Sequence, residues 1–476
     1  MNESPFRRFL ELLFAKRSSD EEEEDGFKLD LRRSGLVTAS FLAVVVGVIA
    51  FLFHERGRGD LTRLEKRIQP GVDTVQPAAP RPGGMDAVVL TRSQMLGGEA
   101  RQFLSATVLP GRGMNILQIT AYIPGRGEIP LLASPTVDEA AKQMTGKGDD
   151  WDGAADLAMG AALLAPWADG ITGTPVEGTG GADGQGGDGL VANWEDQRIA
   201  LPAALRRLPN GRASTAEAFG GLLLKRAVDS FANNAMPDGG ETRGTFQAGD
   251  FGGHWPSSTD VAMTVMLSGR LMELTLTAKN VGMVAEPMGL GWHPRFALPS
   301  GNRSQMRVHV PGAARVEMSA RERGVPTGRL LPVEGTPYDL RAEGGKSLPQ
   351  GDFDVNYTNL KTGFLDNGPI VELSNPANGY GIRITSLTMR VKAFHVTSPA
   401  EGGFVSISPQ YNLDDPFGHE WPKNQDTGMM VLEPGATAEW KIRLELFDPA
   451  TEGEPSELYK PSTGRSSGPA APPPAP

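Results

Sequence analysis

Cysteine is absent from the 476 residues, so thiolate zinc sites, thiol catalysis and a disulfide framework are excluded. Histidine is scarce: His54, His254, His293, His309, His395 and His419 are the complete set, which confines imidazole acid–base chemistry to six positions. Aromatic residues make up 7% of the chain, and its seven Trp are the ones to watch if a sugar or another flat ligand binds. An excess of basic charge is also missing. With 46 Lys and Arg against 57 Asp and Glu the formal net charge is −11, which argues against a nucleic-acid partner, because phosphate binding needs a concentrated basic surface.

What is abundant is turn-forming residues: 60 Gly and 38 Pro are about a fifth of the chain, which favours a β-rich, loop-rich body over a helical bundle. One long uncharged run stands apart, Ser34 to Phe53 (SGLVTASFLAVVVGVIAFLF). At about 1.5 Å per helical residue it spans about 30 Å, the thickness of a hydrocarbon core. It is expected to be a transmembrane helix. Lys16, Arg17, Lys28, Arg32 and Arg33 precede it and Arg56, Arg58, Arg63, Lys66 and Arg67 follow it, so the positive-inside rule is nearly tied. A long following segment with no second hydrophobic span favours an amino terminus in the cytoplasm and a retained signal anchor. The expected location is the inner membrane, with the folded domain in the periplasm.

The expected organisation is a disordered cytoplasmic stub at 1–33, carrying the acidic run Asp20 to Asp25; the anchor at 34–53; a Pro-rich linker at 54–84; one folded region at 85–447; and a disordered tail at 448–476 with eight prolines. Within the folded region, short alternating apolar and polar runs are broken by Gly, Pro, Asn and Asp, the pattern of half-buried antiparallel strands. Val261 to Ala278 (VAMTVMLSGRLMELTLTA) reads as a hairpin with Gly269 at its turn. Strand-like runs recur at 305–310, 370–374, 380–392, 403–408 and 438–447, and no repeat of solenoid or propeller length is visible. Gly173 to Gly189 holds eight glycines in seventeen residues without a phosphate-loop context and reads as a flexible insertion.

Seven strings then follow one another: Ala165 to Gly173 (APWADGITG), Phe219 to Leu223 (FGGLL), Gly291 to Pro299 (GWHPRFALP), Pro332 to Leu340 (PVEGTPYDL), Asp352 to Leu360 (DFDVNYTNL), Phe404 to Phe417 (FVSISPQYNLDDPF) and Met430 to Trp440 (MVLEPGATAEW). In their order they resemble the aldose 1-epimerase (galactose mutarotase) family. The resemblance implies an all-β, galactose mutarotase-like antiparallel β-supersandwich, preceded here by the transmembrane helix. It also implies a chemistry without metal or cofactor. A histidine acts as general acid at the ring oxygen of a pyranose, a glutamate removes the anomeric hydroxyl proton, and the open aldehyde rotates and recloses as the other anomer.

On this resemblance His293 matches the general-acid histidine, Asp354 the aspartate that accepts from sugar hydroxyls (with Asp352 two positions away), and Gln410 the glutamine of the Glu-Pro-Gln string. The departures concern catalysis. Ser408 stands where the family has its general-base glutamate, Asp169-Gly170 where it has Asn-Arg, and Phe219 where it has a second histidine. Asp414, Asp415 and Glu420 are the carboxylates near enough in sequence to replace the base. Trp255 and Trp292, in Gly- and Pro-bounded strings, are expected on the cleft rim, where they would stack on sugar rings, and Phe219 would extend an apolar wall of the substrate site.

Two functions follow as expectations. One is a membrane-anchored isomerase that interconverts the anomers of an aldose, with His293 as acid. The other is a non-catalytic carbohydrate-binding or scaffold domain that holds a glycan or a partner in an envelope polysaccharide system. The changed base and the tether favour the second, while the histidine and the long run of family strings favour the first. A hexose-phosphate epimerase reading has only Arg295 in its support.

Overall fold

The computed structural model describes residues 80–450, except 93–99, 177–187, 208–212, 270, 299–300, 321–323 and 364–365. The expected stub, the Ser34 to Phe53 helix, nearly all of the linker and nearly all of the Pro-rich tail lie outside the described residues. Among the described residues no helix is long and apolar enough to cross a membrane.

The alternation noted in the sequence becomes strands, mostly in three antiparallel sheets of eleven, eight and five strands. The expected hairpin is formed by Thr259–Ser268 and Leu271–Asn280, paired in unbroken register from Thr259 opposite Asn280 to Ser268 opposite Leu271. Gly269 sits between them at φ 52°, a left-handed conformation that only glycine adopts without cost. Met263, Val265 and Leu267 on one strand and Met272, Leu274 and Leu276 on the other point inward and are fully buried, as period-two alternation requires.

This hairpin is central to the eight-stranded sheet, which continues through Thr437–Phe447, Tyr380–Ser386 and Ile370–Asn375 to its edge strand Arg307–His309. Its inner face shares one hydrophobic core with the eleven-stranded sheet: Trp440, Ile442 and Leu444 from the first and Trp292, Phe296, Phe394, Val396, Val405 and Ile407 from the second belong to the same buried cluster. The chain thus forms a sandwich whose larger sheet has a second, outward face, and that face carries the polar residues described below.

The five-stranded sheet corrects one expectation. Gly170–Val176 and Gly189–Trp194 pair with each other, with Thr174 opposite Val191 and Val176 opposite Gly189. The ends of the glycine-rich stretch are therefore strands, and only its middle lies outside the described residues. Ala213–Phe219 pairs with Gly170–Val176 on the other side, placing Phe219 opposite Gly170. The packed body also begins ahead of Met85, since Pro82 is buried and a Cβ on Gly83 would lie 1.9 Å from Gly111 O.

Candidate functional site

Four adjacent strands of the eleven-stranded sheet, Gly291–Ala297, Phe404–Gln410, Ala393–Ser398 and Phe353–Leu360, build the site by register alone. The pairs Gly291 with Gln410 and Arg295 with Ser406 bracket His293 opposite Ser408. Ser408 pairs with His395 on its other side, and His395 pairs with Asn356. One row across the sheet therefore reads His293, Ser408, His395, Asn356. The next row, by the same pairings, reads Arg295, Ser406, Thr397, Asp354. Successive side chains of a strand point to opposite faces, so both rows share the outer face while Trp292, Phe296, Val405, Ile407, Phe394, Val396, Phe353 and Val355 fill the core.

Loops complete the outer face. Ala168 N donates to Asn412 Oδ1 at 3.0 Å and Asn412 Nδ2 donates back to Ala168 O at 2.6 Å, while Asp415 N donates to Gly170 O at 2.9 Å. This stitching fixes the turn after Trp167 against the turn after Gln410. It brings Asp169, at φ 65°, and Asp414 over the row. Phe219 arrives from the five-stranded sheet, its ring edge-on to His293 with centroids 6.1 Å apart.

The polar groups form a connected set. His293 Nδ1 and Ser408 Oγ are 3.0 Å apart. His395 lies between two carboxylates, with Nδ1 2.7 Å from Asp169 Oδ2 and Nε2 2.6 Å from Asp354 Oδ1. Asp169 Oδ2 also accepts from Asn356 Nδ2 and Gln410 Nε2, each at 3.1 Å. Burial opposes the charge on His395, but the Asp169 and Asp354 carboxylates raise its imidazole well above the ordinary value. Burial likewise opposes the charge on Asp169, which His395 and its hydrogen-bond donors hold well below the usual carboxylate range. Burial and the neighbouring Asp169 charge push the Asp414 carboxyl far up. His293 goes the other way: burial, helped by the cationic His395, pulls it down to about 4. At neutral pH the face thus carries a neutral His293 beside a cationic His395.

The structure brings His293, Phe219 and Asp354 to this one face. Of the two neighbouring aspartates, Asp354 lies in the strand on the outer face with its side chain 69% exposed, whereas Asp352 caps a turn by accepting from Ala400 N at 2.9 Å. Gln410 is corrected: it is buried and committed to Asp169 and to Asn412 O, so it fixes a loop and presents nothing to a sugar.

Trp292 and Trp255 are corrected too. Trp292 is fully buried, because its neighbour His293 takes the outer face and the strand must turn Trp292 inward. Trp255 is buried in a stack on Trp167, with centroids 5.4 Å apart, and donates from Nε1 to Pro287 O. Neither ring face meets the outer surface.

The three carboxylates considered as replacement bases separate as well. Asp414 lies in the cluster but is buried. Asp415 is held by Thr172 through its backbone N–H at 3.0 Å and its hydroxyl, and burial pushes it up to about 6. Glu420 pairs with the exposed His419 at 3.2 Å. Among the described residues none of the three hydrogen-bonds His293 or Ser408.

His395 and Asn356 were not anticipated, and Asp169 had been noted only as a departure. His395 stands in the alternating run AFHVTS, which shows that His395 and Thr397 share a face, but nothing in the string shows that Ser408 and Asn356 flank it. The cavities of about 250 and 340 Å³ that both include His309 share no lining residue with this face.

Residues 240–445 match the family model described as aldose 1-epimerase. No curated protein matches the chain. A solved galactose mutarotase-like protein from Clostridium acetobutylicum superposes with a TM-score of 0.55 at 13% identity, covering 75% of this chain and 98% of its own. A GalM/aldose epimerase homologue from C. elegans gives 0.51 at 15% identity, covering 73% of this chain and 99% of its own. At such identities the likeness is one of fold. Residues 240–445 are thus similar to the aldose 1-epimerase family, and the sandwich has the galactose mutarotase-like fold.

Proposed function

We propose that the protein binds a sugar or glycan on the outer face around His293, Asp354 and Phe219, and that it does so without the acid–base chemistry that interconverts anomers. The observation that carries this reading is the partner of His293. Where a general-base glutamate is expected, Ser408 lies 3.0 Å from the imidazole, so the carboxylate that would take up the anomeric proton opposite the histidine is replaced by a hydroxyl hydrogen-bonded to that same histidine. The groups for binding remain. Asp354 offers exposed carboxylate oxygen to sugar hydroxyls, and the partly buried Phe219 ring offers an apolar wall to the C–H face of a pyranose.

The hydrophobic run Ser34 to Phe53 supports a tethered protein, with the sandwich on the periplasmic side of an inner membrane, serving an envelope polysaccharide as a holding or scaffold domain. A diffusible sugar gains little from an anchored mutarotase, which further favours binding over turnover.

A second reading, anomer interconversion, has one observation in its favour: Asp354 is an exposed carboxylate one row from His293 on the same face. Polarimetry separates the two. The full chain is expected to leave the relaxation of α-glucose and α-galactose at the spontaneous rate, and Ser408→Glu to create acceleration. Acceleration by the wild type that is lost in His293→Ala establishes the second reading and removes the first.

A further inference from the structure

We propose that Asp169, Asp414 and His395 form a binding site for one divalent transition-metal ion of the zinc or manganese class. Their donor atoms all lie within 4.8 Å of one another, and all three residues are buried. Metal bonds of about 2.0–2.2 Å place donors no more than about 4.4 Å apart, so modest side-chain adjustment closes the shell.

Two orphaned oxygens point independently to a cation. Asp414 is only 6% exposed and its Oδ2 accepts no hydrogen bond. Asn356, 2% exposed, spends its amide nitrogen on Asp169 and leaves Oδ1 buried without a donor. Turning the Asn356 amide over does not help, because its oxygen would then face the Asp169 carboxylate. Buried acceptors without donors are costly, and a cation bound in place of the Asp414 proton would satisfy the carboxylate oxygen.

The surroundings have the form of a metal-site outer shell. His395 Nε2 is backed by the Asp354 carboxylate at 2.6 Å, which fixes the ring so that Nδ1 faces Asp169 at 2.7 Å; a carboxylate behind the second nitrogen is the usual setting of a metal-bound imidazole. In the loaded site the ion takes the place of the Nδ1 proton in that contact. Asp169 is steadied by Asn356 and Gln410, as ligating carboxylates commonly are. An imidazole nitrogen among carboxylate and amide oxygens suits zinc, manganese or iron(II) better than calcium or magnesium, which prefer oxygen shells. The ion would join the 165–172 turn, the 411–415 turn and the Ala393–Ser398 strand at one point.

The test uses the full chain, stripped with a chelator and titrated separately with Zn²⁺ and Mn²⁺ by calorimetry, with bound metal counted by mass spectrometry. One equivalent is expected. Asp414→Asn and His395→Gln should each weaken binding at least tenfold, while Asp196→Asn, in an exposed turn, should not change it. Co²⁺ should give a visible absorption band in the wild type that His395→Gln removes or shifts. Absence of stoichiometric metal in the folded wild type overturns the proposal even where a variant fails to fold, as does undiminished binding by both site variants.

Discussion

Glu286 provides a quantitative test of the sandwich itself. It lies in the short strand Glu286–Met288, opposite Met430–Leu432, and is completely buried. Its Oε2 accepts from the Thr259 hydroxyl at 2.8 Å, and Oε1 has no partner. Burial pushes the carboxyl up from 4.5 to about 7, against the smaller pull of the Thr259 hydrogen bond. The folded chain therefore keeps this proton to about pH 7, whereas the unfolded chain releases it near pH 4.5. The stability from this group is complete below the lower value, falls as pH rises through the interval, and is flat above the upper one. Each unit is worth about 1.4 kcal/mol, so roughly 3 kcal/mol is lost between pH 4.5 and 7.5.

Glu286→Gln cannot titrate. Whatever its amide costs through an unsatisfied N–H, that cost is the same at both ends of the range. Urea unfolding of wild type and variant, followed by Trp fluorescence at pH 4.5 and 8, should show the stability difference moving by about 3 kcal/mol in favour of the variant at the higher pH. A difference that stays constant across that range would refute the neutral buried carboxyl.

Other consequences concern the core and the buried charges. Trp292→Ala should cost about 3–5 kcal/mol in a denaturation experiment, since the ring belongs to the core; a variant of unchanged stability with weakened sugar binding would restore Trp292 to the rim. Arg112 is buried with Asp156, whose Oδ2 accepts from Nε at 2.9 Å, and with Asp150, whose Oδ1 accepts from Nη2 at 3.0 Å. Arg112→Met should cost about 3–5 kcal/mol and recover part of that when combined with Asp156→Asn; purely additive losses would mean that the charges are not coupled.

How much of this was legible in the sequence depends on the range of the interaction. The Val261 to Ala278 hairpin and its turn at Gly269 follow from alternation and one glycine, both local. The opposed faces of Trp292 and His293 were legible too, because adjacent strand residues cannot line the same cleft, and Gly- and Pro-bounded strings say nothing about which face a ring takes. His395 was not legible as a site residue. Its importance comes from contacts with Asp354, 41 residues away in sequence, and with Asp169 from a distant loop, and no local pattern encodes which segments become neighbours. The same holds for Asp169, whose place over the row depends on Asn412 clasping Ala168 from the opposite loop. The glycine-rich stretch misled because glycine content weakens a strand without forbidding it, and pairing between its two ends outweighed the local preference.

Ligand-observed NMR of the full chain with a panel of hexoses and a short oligosaccharide tests the central claim most directly, because one sample reports both events. Saturation transferred from protein to sugar protons measures binding, and magnetisation exchanged between the α and β anomeric protons measures interconversion. The expected result is saturation transfer that Asp354→Asn abolishes, with anomer exchange no faster than in buffer. Anomer exchange accelerated by the wild type and lost in His293→Ala, or no saturation transfer to any sugar in the panel, would contradict the account.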